Sequence, residues 1–344
     1  MTAGIGVIGA GLIGTDHIRR LSVGLTGALV VAVADADHDR AQQRADELPA
    51  ARAYGSGHAL IAADEVDAVL VASPGPTHEE YVLAAIGAGK PVFAEKPLAT
   101  TQQACERILV AETSVGRRLV QVGFMRRYDA GYRALKSIID GGGIGAPTLV
   151  HAAHRNPIVP DSYTSEMAII DTAVHDIDIT RWLLGEEMVA AQVLKPRRNG
   201  RAAGQLSDPI VLLLETERGV LADVEVNVNI GYGYDIRGEV VGETGTAELS
   251  DTSLVVMRSD GQQRGRVPAD WRERFSDAYD LELSDWIGSV ATGEAAGPSA
   301  WDGYAVSAVS DAALAAARSG ERVVVSLPDR PALYERPAYQ AVRT

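Results

Sequence analysis

Through the first third of the chain, short apolar runs rich in β-branched residues alternate with helical stretches. Ile5 to Ile8, Leu29 to Ala34, Val66 to Val71, Pro91 to Ala94 and Leu119 to Val122 read as buried strands, with helical patterns filling the gaps. Alternation of this kind implies βαβ units, and so a doubly wound parallel sheet with right-handed crossovers. After about Gly123 the texture changes: a helix is expected near Asp129 to Asp140, the Gly141-Gly142-Gly143 run breaks it, and an extended stretch starts at Pro147. Val220 to Asn229 then alternates strictly, with Val224, Val226 and Val228 on one face and Asp223, Glu225, Asn227 and Asn229 on the other. That is the period of a strand with one face on a core. Runs at Ile210 to Glu215, Glu239 to Val241, Thr246 to Leu249 and Leu254 to Arg258, spaced by glycine turns, predict a large, mostly antiparallel open sheet. Helices over Asp280 to Thr292 and Gly303 to Arg318 follow. The expected fold class is α/β, with a doubly wound N-terminal domain over 1–122 and an α+β domain over 123–344.

Bulk properties narrow the function. A length of 344 residues exceeds what one core usually serves, which fits two domains. The net charge of −14 repels phosphate backbones and anionic lipid surfaces, so neither nucleic acid nor membrane is an expected partner. Met1-Thr2-Ala3-Gly4 leads straight into an apolar strand with no basic leader, and no apolar run nears the ~20 residues a membrane span needs. A cytoplasmic address is the expectation. The single cysteine, Cys105, has no intramolecular partner and sits in a helical pattern, so it reads as an inert buried thiol.

Gly9-Ala10-Gly11-Leu12-Ile13-Gly14 follows the first strand directly and opens a helix, the context that gives G-x-G-x-x-G its meaning. Gly9 permits the tight turn, Gly11 lets backbone approach a pyrophosphate, and Gly14 lets helix and strand pack closely in a Rossmann domain. Asp35 ends the second strand where the ribose-binding acid belongs. Its carboxylate would repel the 2′-phosphate of NADP, and no Arg or Lys follows before Arg40, so NAD is the expected cofactor. The plainer alternatives are a glycine-rich turn and a solvated strand-end carboxylate.

Removing hydride from a C–H bond requires the adjoining hydroxyl to lose its proton, which calls for a base that titrates near working pH. Histidine suits this best. His175 stands out because Asp171 lies four residues before it and Asp178 three after, with Arg181 three further on. A helix would put all four on one face. A surface helix with a salt-bridge ladder fits the spacing equally well. Glu95-Lys96-Pro97 follows the fifth strand, at the carboxyl edge where open α/β sheets bind ligands. Lys96 there is either a donor to the reacting oxygen or a solvated loop lysine. Arg126-Arg127 reads as a substrate clamp or a solvated pair, and Tyr232 and Tyr234 as pocket lining or sheet packing. His151 and His154, three apart in an extended stretch, face opposite sides and make a poor metal pair, so no metal is expected.

By these residues the chain resembles the Gfo/Idh/MocA oxidoreductases, the family of glucose-fructose oxidoreductase, inositol dehydrogenase and rhizopine catabolism. The likeness covers essentially the whole chain. Its general marks are Gly9 to Gly14, Ser73-Pro74 followed by His78, Glu95-Lys96-Pro97, and Asp171 with His175. A narrower likeness to the inositol dehydrogenases within the family is carried by Gly123-Phe124-Met125-Arg126-Arg127-Tyr128-Asp129, His154-Arg155-Asn156-Pro157, Gly231-Tyr232-Gly233-Tyr234-Asp235, and Gly297-Pro298-Ser299-Ala300-Trp301-Asp302-Gly303-Tyr304. Asp176, directly after His175, departs from a Glu that such enzymes can carry.

The resemblance implies NAD-dependent oxidation of a cyclitol ring hydroxyl, with Lys96, Asp171 and His175 as the catalytic triad. It implies that Gly9, Gly11, Leu12, Ile13, Gly14, Asp35, Ser73, Pro74, His78, Glu95 and Lys96 bind the cofactor. It further implies that Arg126, His154, Asn156 and Tyr234 help hold the cyclitol, and that a homotetramer forms through the open face of the second-domain sheet. Two rivals stay open: a pyranose or glycoside dehydrogenase of the same family, and a non-catalytic NAD-binding regulator, which would need no base and no lysine.

Overall fold

A computed structural model describes residues 2–250, 256–293 and 295–335. Two compact units divide the chain, and each is described by itself.

The first unit is built on a parallel sheet of β1 (Ala3–Ile8), β2 (Ala28–Ala34), β3 (Arg52–Tyr54), β4 (Ala68–Val71), β5 (Val92–Ala94) and β6 (Val120–Val122), in the order β3-β2-β1-β4-β5-β6. Helices α1 (Leu12–Arg19), α2 (His38–Asp46), α3 (Gly57–Ile61), α4 (His78–Gly87) and α5 (Gln102–Val115) alternate with these strands. Local chemistry sets the helix ends. Thr101 caps α5 by accepting from Ala104 N, and Gly116 closes it at φ +75°. The strands are buried on both faces, which is why they read as continuous apolar runs rather than alternating ones. Strand order reverses between β1 and β4, so their carboxyl ends open the crevice where such sheets take ligands.

The second unit opens with α6 (Ala130–Asp140), capped by Asp129 through Tyr132 N. Strands β7 (Pro147–Arg155), β8 (Met188–Leu194), β9 (Ile210–Thr216), β10 (Leu221–Asn227), β11 (Asp235–Gly242) and β12 (Thr246–Glu248) follow, with α7 (Val174–Leu184) between β7 and β8. A short hairpin, β13 (Val256–Ser259) and β14 (Gln262–Gly265), precedes α8 (Trp271–Arg274), α9 (Ser276–Val290), α10 (Ala300–Ser319) and β15 (Val323–Val324). The large sheet runs β12-β11-β7-β10-β9-β8-β15. All its neighbours are antiparallel except β7 and β10, which run parallel with Leu221 opposite Leu149. α7 packs on β7, while Leu149, Leu213 and Leu221 stay 38%, 38% and 51% exposed.

The expected boundary needs correction. The second unit begins at Met125, and it does not run unbroken to the end, because Tyr279–Ser307 and the described residues from Leu327 belong to the first unit. The cause is packing: Leu283, Trp286 and Ile287 of α9 complete the first unit's core beside Phe93, Leu21 and Ile18. Val66, Pro91 and Leu119 flank their strands instead of lying within them. Of the expected strand Leu254 to Arg258, residues 254 and 255 lie outside the described residues. No helix among the described residues is long and apolar enough to cross a membrane.

Candidate active site

In the first unit the glycine turn is fixed by close contact. Gly9 sits at φ +97°, and a Cβ there would lie 2.4 Å from Ser73 N. A Cβ on Gly14 would lie 1.9 Å from the Gly9 carbonyl oxygen, so helix and turn approach as no other residue allows. Gly11, the N-cap of α1, differs: nothing lies within 4 Å of its would-be Cβ, and no side chain caps the helix among the described residues. The first-turn N–H groups thus have no capping side chain, and an anion can complete them. Leu12 is exposed and Ile13 half-buried. The Asp35 carboxylate accepts from Ala10 N at 2.7 Å and from Asp37 N at 2.9 Å, tying the acid to the turn. These features fit a dinucleotide. Arg40, set aside by spacing alone, returns its guanidinium to 3.9 Å from Asp35 Oδ1.

Ser73 and Pro74 follow β4, and Glu95 and Lys96 follow β5. The Ser73 and Thr77 hydroxyls share a hydrogen bond of 2.7 Å. His78, expected at the cofactor, also acts as an internal brace. It is buried, with Nδ1 2.7 Å from the Pro97 carbonyl and Nε2 2.7 Å from the Ser73 carbonyl. Burial lowers the pKa of this imidazole from its ordinary value; the neutral ring donates to one carbonyl and the charged ring to both. Glu95 is buried too, one oxygen on His17 and the other on Lys96 N.

In the second unit, residues far apart in sequence meet. Arg126, Asp176, His154 and Tyr234 are all buried, at 1%, 0%, 3% and 4% exposure. Arg126 Nη1 donates to Asp176 Oδ1 at 2.5 Å. His154 Nδ1 lies 2.9 Å from Asp176 Oδ2 and 3.0 Å from Arg126 Nη2. One nitrogen cannot donate and accept at once; both contacts have a charged partner, and the one to the carboxylate is the shorter and joins an acceptor that Arg126 already neutralises. Nδ1–H therefore donates to Asp176, leaving Nε2 to accept from the Tyr234 hydroxyl at 3.4 Å. Burial by itself raises the Asp176 carboxyl, but Arg126 and His154 outweigh it and hold the group below the ordinary carboxylate range. Burial pushes the Tyr234 phenol up to about 12. His175 adjoins this cluster, its ring centroid 6.3 Å from that of His154. Asn156, half-buried just past β7, is held by its backbone, donating to Asn227 O and accepting from Ile230 N.

This geometry corrects two expectations. Arg126 is not a member of a solvated pair, since its guanidinium is desolvated against Asp176. The surface-helix reading of α7 also fails, because Val174 through Arg181 are all buried. Asp178 pairs with Arg127 and Arg181 with Glu187, both partners lying off the helix. Asp171 is half-buried in a π-helical turn, Ala168–Ala173, so simple α-helical spacing does not describe its relation to His175. His151 is exposed on Asp223 while His154 is buried, on opposite faces of β7. No group of three or more metal-ligating side chains occurs among the described residues.

Sequence reasoning missed Asp176 and His17. Asp176 registered only as a departure from a family pattern, and a face argument built on i, i+4 spacing points away from the next residue along. His17 lies six residues past Gly11 in the helix that the glycine motif opens, and nothing in its spacing marked Glu95 as its partner.

Comparison with known proteins decides the family. A profile described as an oxidoreductase family with an NAD-binding Rossmann fold matches residues 3–124, and one for that family's C-terminal alpha/beta domain matches 136–326. The chain belongs to the Gfo/Idh/MocA oxidoreductase family. Among members, inositol 2-dehydrogenase 3 of Saccharopolyspora erythraea is 56% identical over 334 residues, covering 97% of this chain and 98% of that protein. The inositol 2-dehydrogenase of Serratia proteamaculans is 54% identical over 337 residues, covering 98% and 100%. The structure of myo-inositol dehydrogenase from Lactobacillus casei with NAD(H) and myo-inositol superposes at a TM-score of 0.95, with 42% identity, covering 97% of this chain and 100% of that one. As a Gfo/Idh/MocA oxidoreductase, the chain carries the NAD-binding fold that its glycine turn and Asp35 were read to build.

Proposed function

We propose that this protein is an NAD-dependent inositol 2-dehydrogenase, which oxidises the 2-hydroxyl of myo-inositol to a ketone. The observation that carries this reading is identity above one half, over almost the entire chain, to proteins of that name. Bound NAD supplies the hydride acceptor. His175 takes the proton of the reacting hydroxyl, and Asp171 orients its ring and stabilises the imidazolium. The Lys96 ammonium donates to the same oxygen and steadies its alkoxide character. Tyr234, His154 and Asn156 hold the ring hydroxyls, while Arg126 and Asp176 lie behind them and fix the His154 tautomer. The enzyme works in the cytoplasm as a homotetramer joined through the sheet face that carries Leu149, Leu213 and Leu221, whose adjacent exposed side chains gain from burial.

A panel of inositol isomers and aldoses, each with NAD and followed by NADH absorbance, tests the reading. Myo-inositol is expected to give the highest kcat/KM. A higher value for glucose or another pyranose overturns the cyclitol assignment, and no turnover with any of them overturns the enzyme.

A further inference from the structure

The two neighbours of Lys96 in the chain are each gripped by a buried histidine. On one side, Glu95 Oε1 lies 2.7 Å from His17 Nε2, and Glu95 Oε2 accepts from Lys96 N at 3.1 Å. The carboxylate is thus held at both oxygens, one of them by the lysine's own backbone. Gly123 keeps the space open, since a Cβ there would come within 3.2 Å of Glu95 Oε2. On the other side, the Pro97 carbonyl meets His78 Nδ1 at 2.7 Å. His17 projects from α1, which opens at the glycine turn, and His78 is the first residue of α4, just past Ser73-Pro74.

We propose that His17 and His78 are positioning residues which together clamp Lys96 to the two cofactor-side loops. The inference rests on Lys96 as the group that steadies the reacting oxygen. Core filling does not account for them, because an apolar ring would fill the same space without desolvating a polar one. His17 is wholly buried, edge-on to Phe93 and Tyr279 at 5.7 and 5.8 Å between centroids, and its Nδ1 has no hydrogen-bond partner among the described residues. A ring with one unsatisfied nitrogen is retained for the bond made by the other, and that bond ends on Glu95. Nε2 accordingly carries the proton and donates to the carboxylate. The clamp leaves the N–H groups at Gly11 untouched, so its loss is expected in turnover and not in cofactor affinity.

Side-chain amides mimic one ring nitrogen at a time, which makes the test selective. Gln at 17 replaces Nε2 and keeps the bond to Glu95, whereas Leu removes it. Asn at 78 replaces Nδ1 and keeps the grip on Pro97, whereas Gln replaces Nε2 and keeps only Ser73. Each variant is measured for kcat with myo-inositol, for NADH Kd by fluorescence, and for the deuterium isotope effect with substrate labelled at the reacting carbon. His17→Leu and His78→Gln are expected to lower kcat about 10- to 100-fold with a larger isotope effect, while NADH Kd changes less than about twofold. His17→Gln and His78→Asn are expected to recover at least about a third of wild-type turnover. Because His17→Leu strands a buried carboxylate and can unfold the domain, the His78 pair stands as an independent reading. Equal losses in His78→Asn and His78→Gln, or losses that track NADH Kd, overturn the clamp. Lys96→Met separates the clamp from its premise. If Lys96→Met is inactive while His17→Leu and His78→Gln turn over like wild type, the clamp alone fails; if Lys96→Met is itself active, the lysine's role fails and the clamp with it.

Discussion

The cofactor turn and the buried cluster around Asp176 solve opposite problems. The turn is built from backbone: Gly9 at positive φ, Gly14 against a carbonyl, and a helix start at Gly11 that no side chain caps. The Asp176 cluster is built from side chains, with a guanidinium, a carboxylate, an imidazole and a phenol taken out of water and bonded to one another, while the buried Arg126 Nε has no hydrogen-bond partner among the described residues. One rests on backbone N–H groups that no side chain caps, and the other on side chains that bond mainly to each other. On the proposed reading, cofactor affinity depends on the turn and proton removal on residues beside the cluster, so each should break without the other.

The largest separable effect on folding is expected at Asp176. Asp176→Ala leaves Arg126 buried without its carboxylate, and removing one partner of such a pair costs about 3–5 kcal/mol. Chemical denaturation measures this, and a loss below about 1 kcal/mol would show that the pair is not desolvated as described. The same pair sets an acid limb. Because the folded Asp176 carboxyl lies below its ordinary 3.8, its contribution is complete above that value and is lost as pH falls through the folded one. Stability of wild type should thus fall more steeply below pH 3.8 than that of Asp176→Ala.

At the turn, Gly14→Ala forces a methyl group against the Gly9 carbonyl, and NADH affinity should drop about tenfold or more, equivalent to ~1.4 kcal/mol. Calorimetric titration checks it, and wild-type affinity would mean that the turn relaxes freely. No larger is the effect expected of Asp35→Ser, which on the proposed reading removes the ribose acceptor and the charge that disfavours NADP. With Arg40 only 3.9 Å away, the preference for NAD over NADP should narrow about tenfold, mainly through weaker NAD binding. An unchanged NAD KM would contradict that.

What the chain discloses in one dimension follows the same divide. Gly9, Gly11, Gly14 and Asp35 lie within one βαβ stretch, so turn, helix and acid could be read in order. The sheet of the second unit was legible in class through the alternation of β10, but the parallel pairing of β7 with β10 joins segments about seventy residues apart, and no local pattern encodes it. The Arg126, His154, Asp176 and Tyr234 cluster draws on four separate stretches of chain, and only the family likeness had assigned three of them to one site. Asp176 stayed hidden because a helical-face argument selects every third or fourth residue. The chain past Tyr279 reads as two ordinary helices, and only the packing of Trp286 against the first unit's core reveals where α9 belongs.

The measurement that tests this account most directly is His175→Ala, assayed for turnover of myo-inositol and, separately, for NADH binding. Removal of a positioned base typically costs 10²–10⁴-fold, so kcat should fall at least ~10²-fold while NADH Kd stays within about twofold of wild type, and the rising acid limb of the kcat/KM profile should disappear. A variant that keeps most of its turnover and the same acid limb, or one whose loss is matched by a loss of NADH affinity, would contradict both the base assignment and the separation of binding from chemistry.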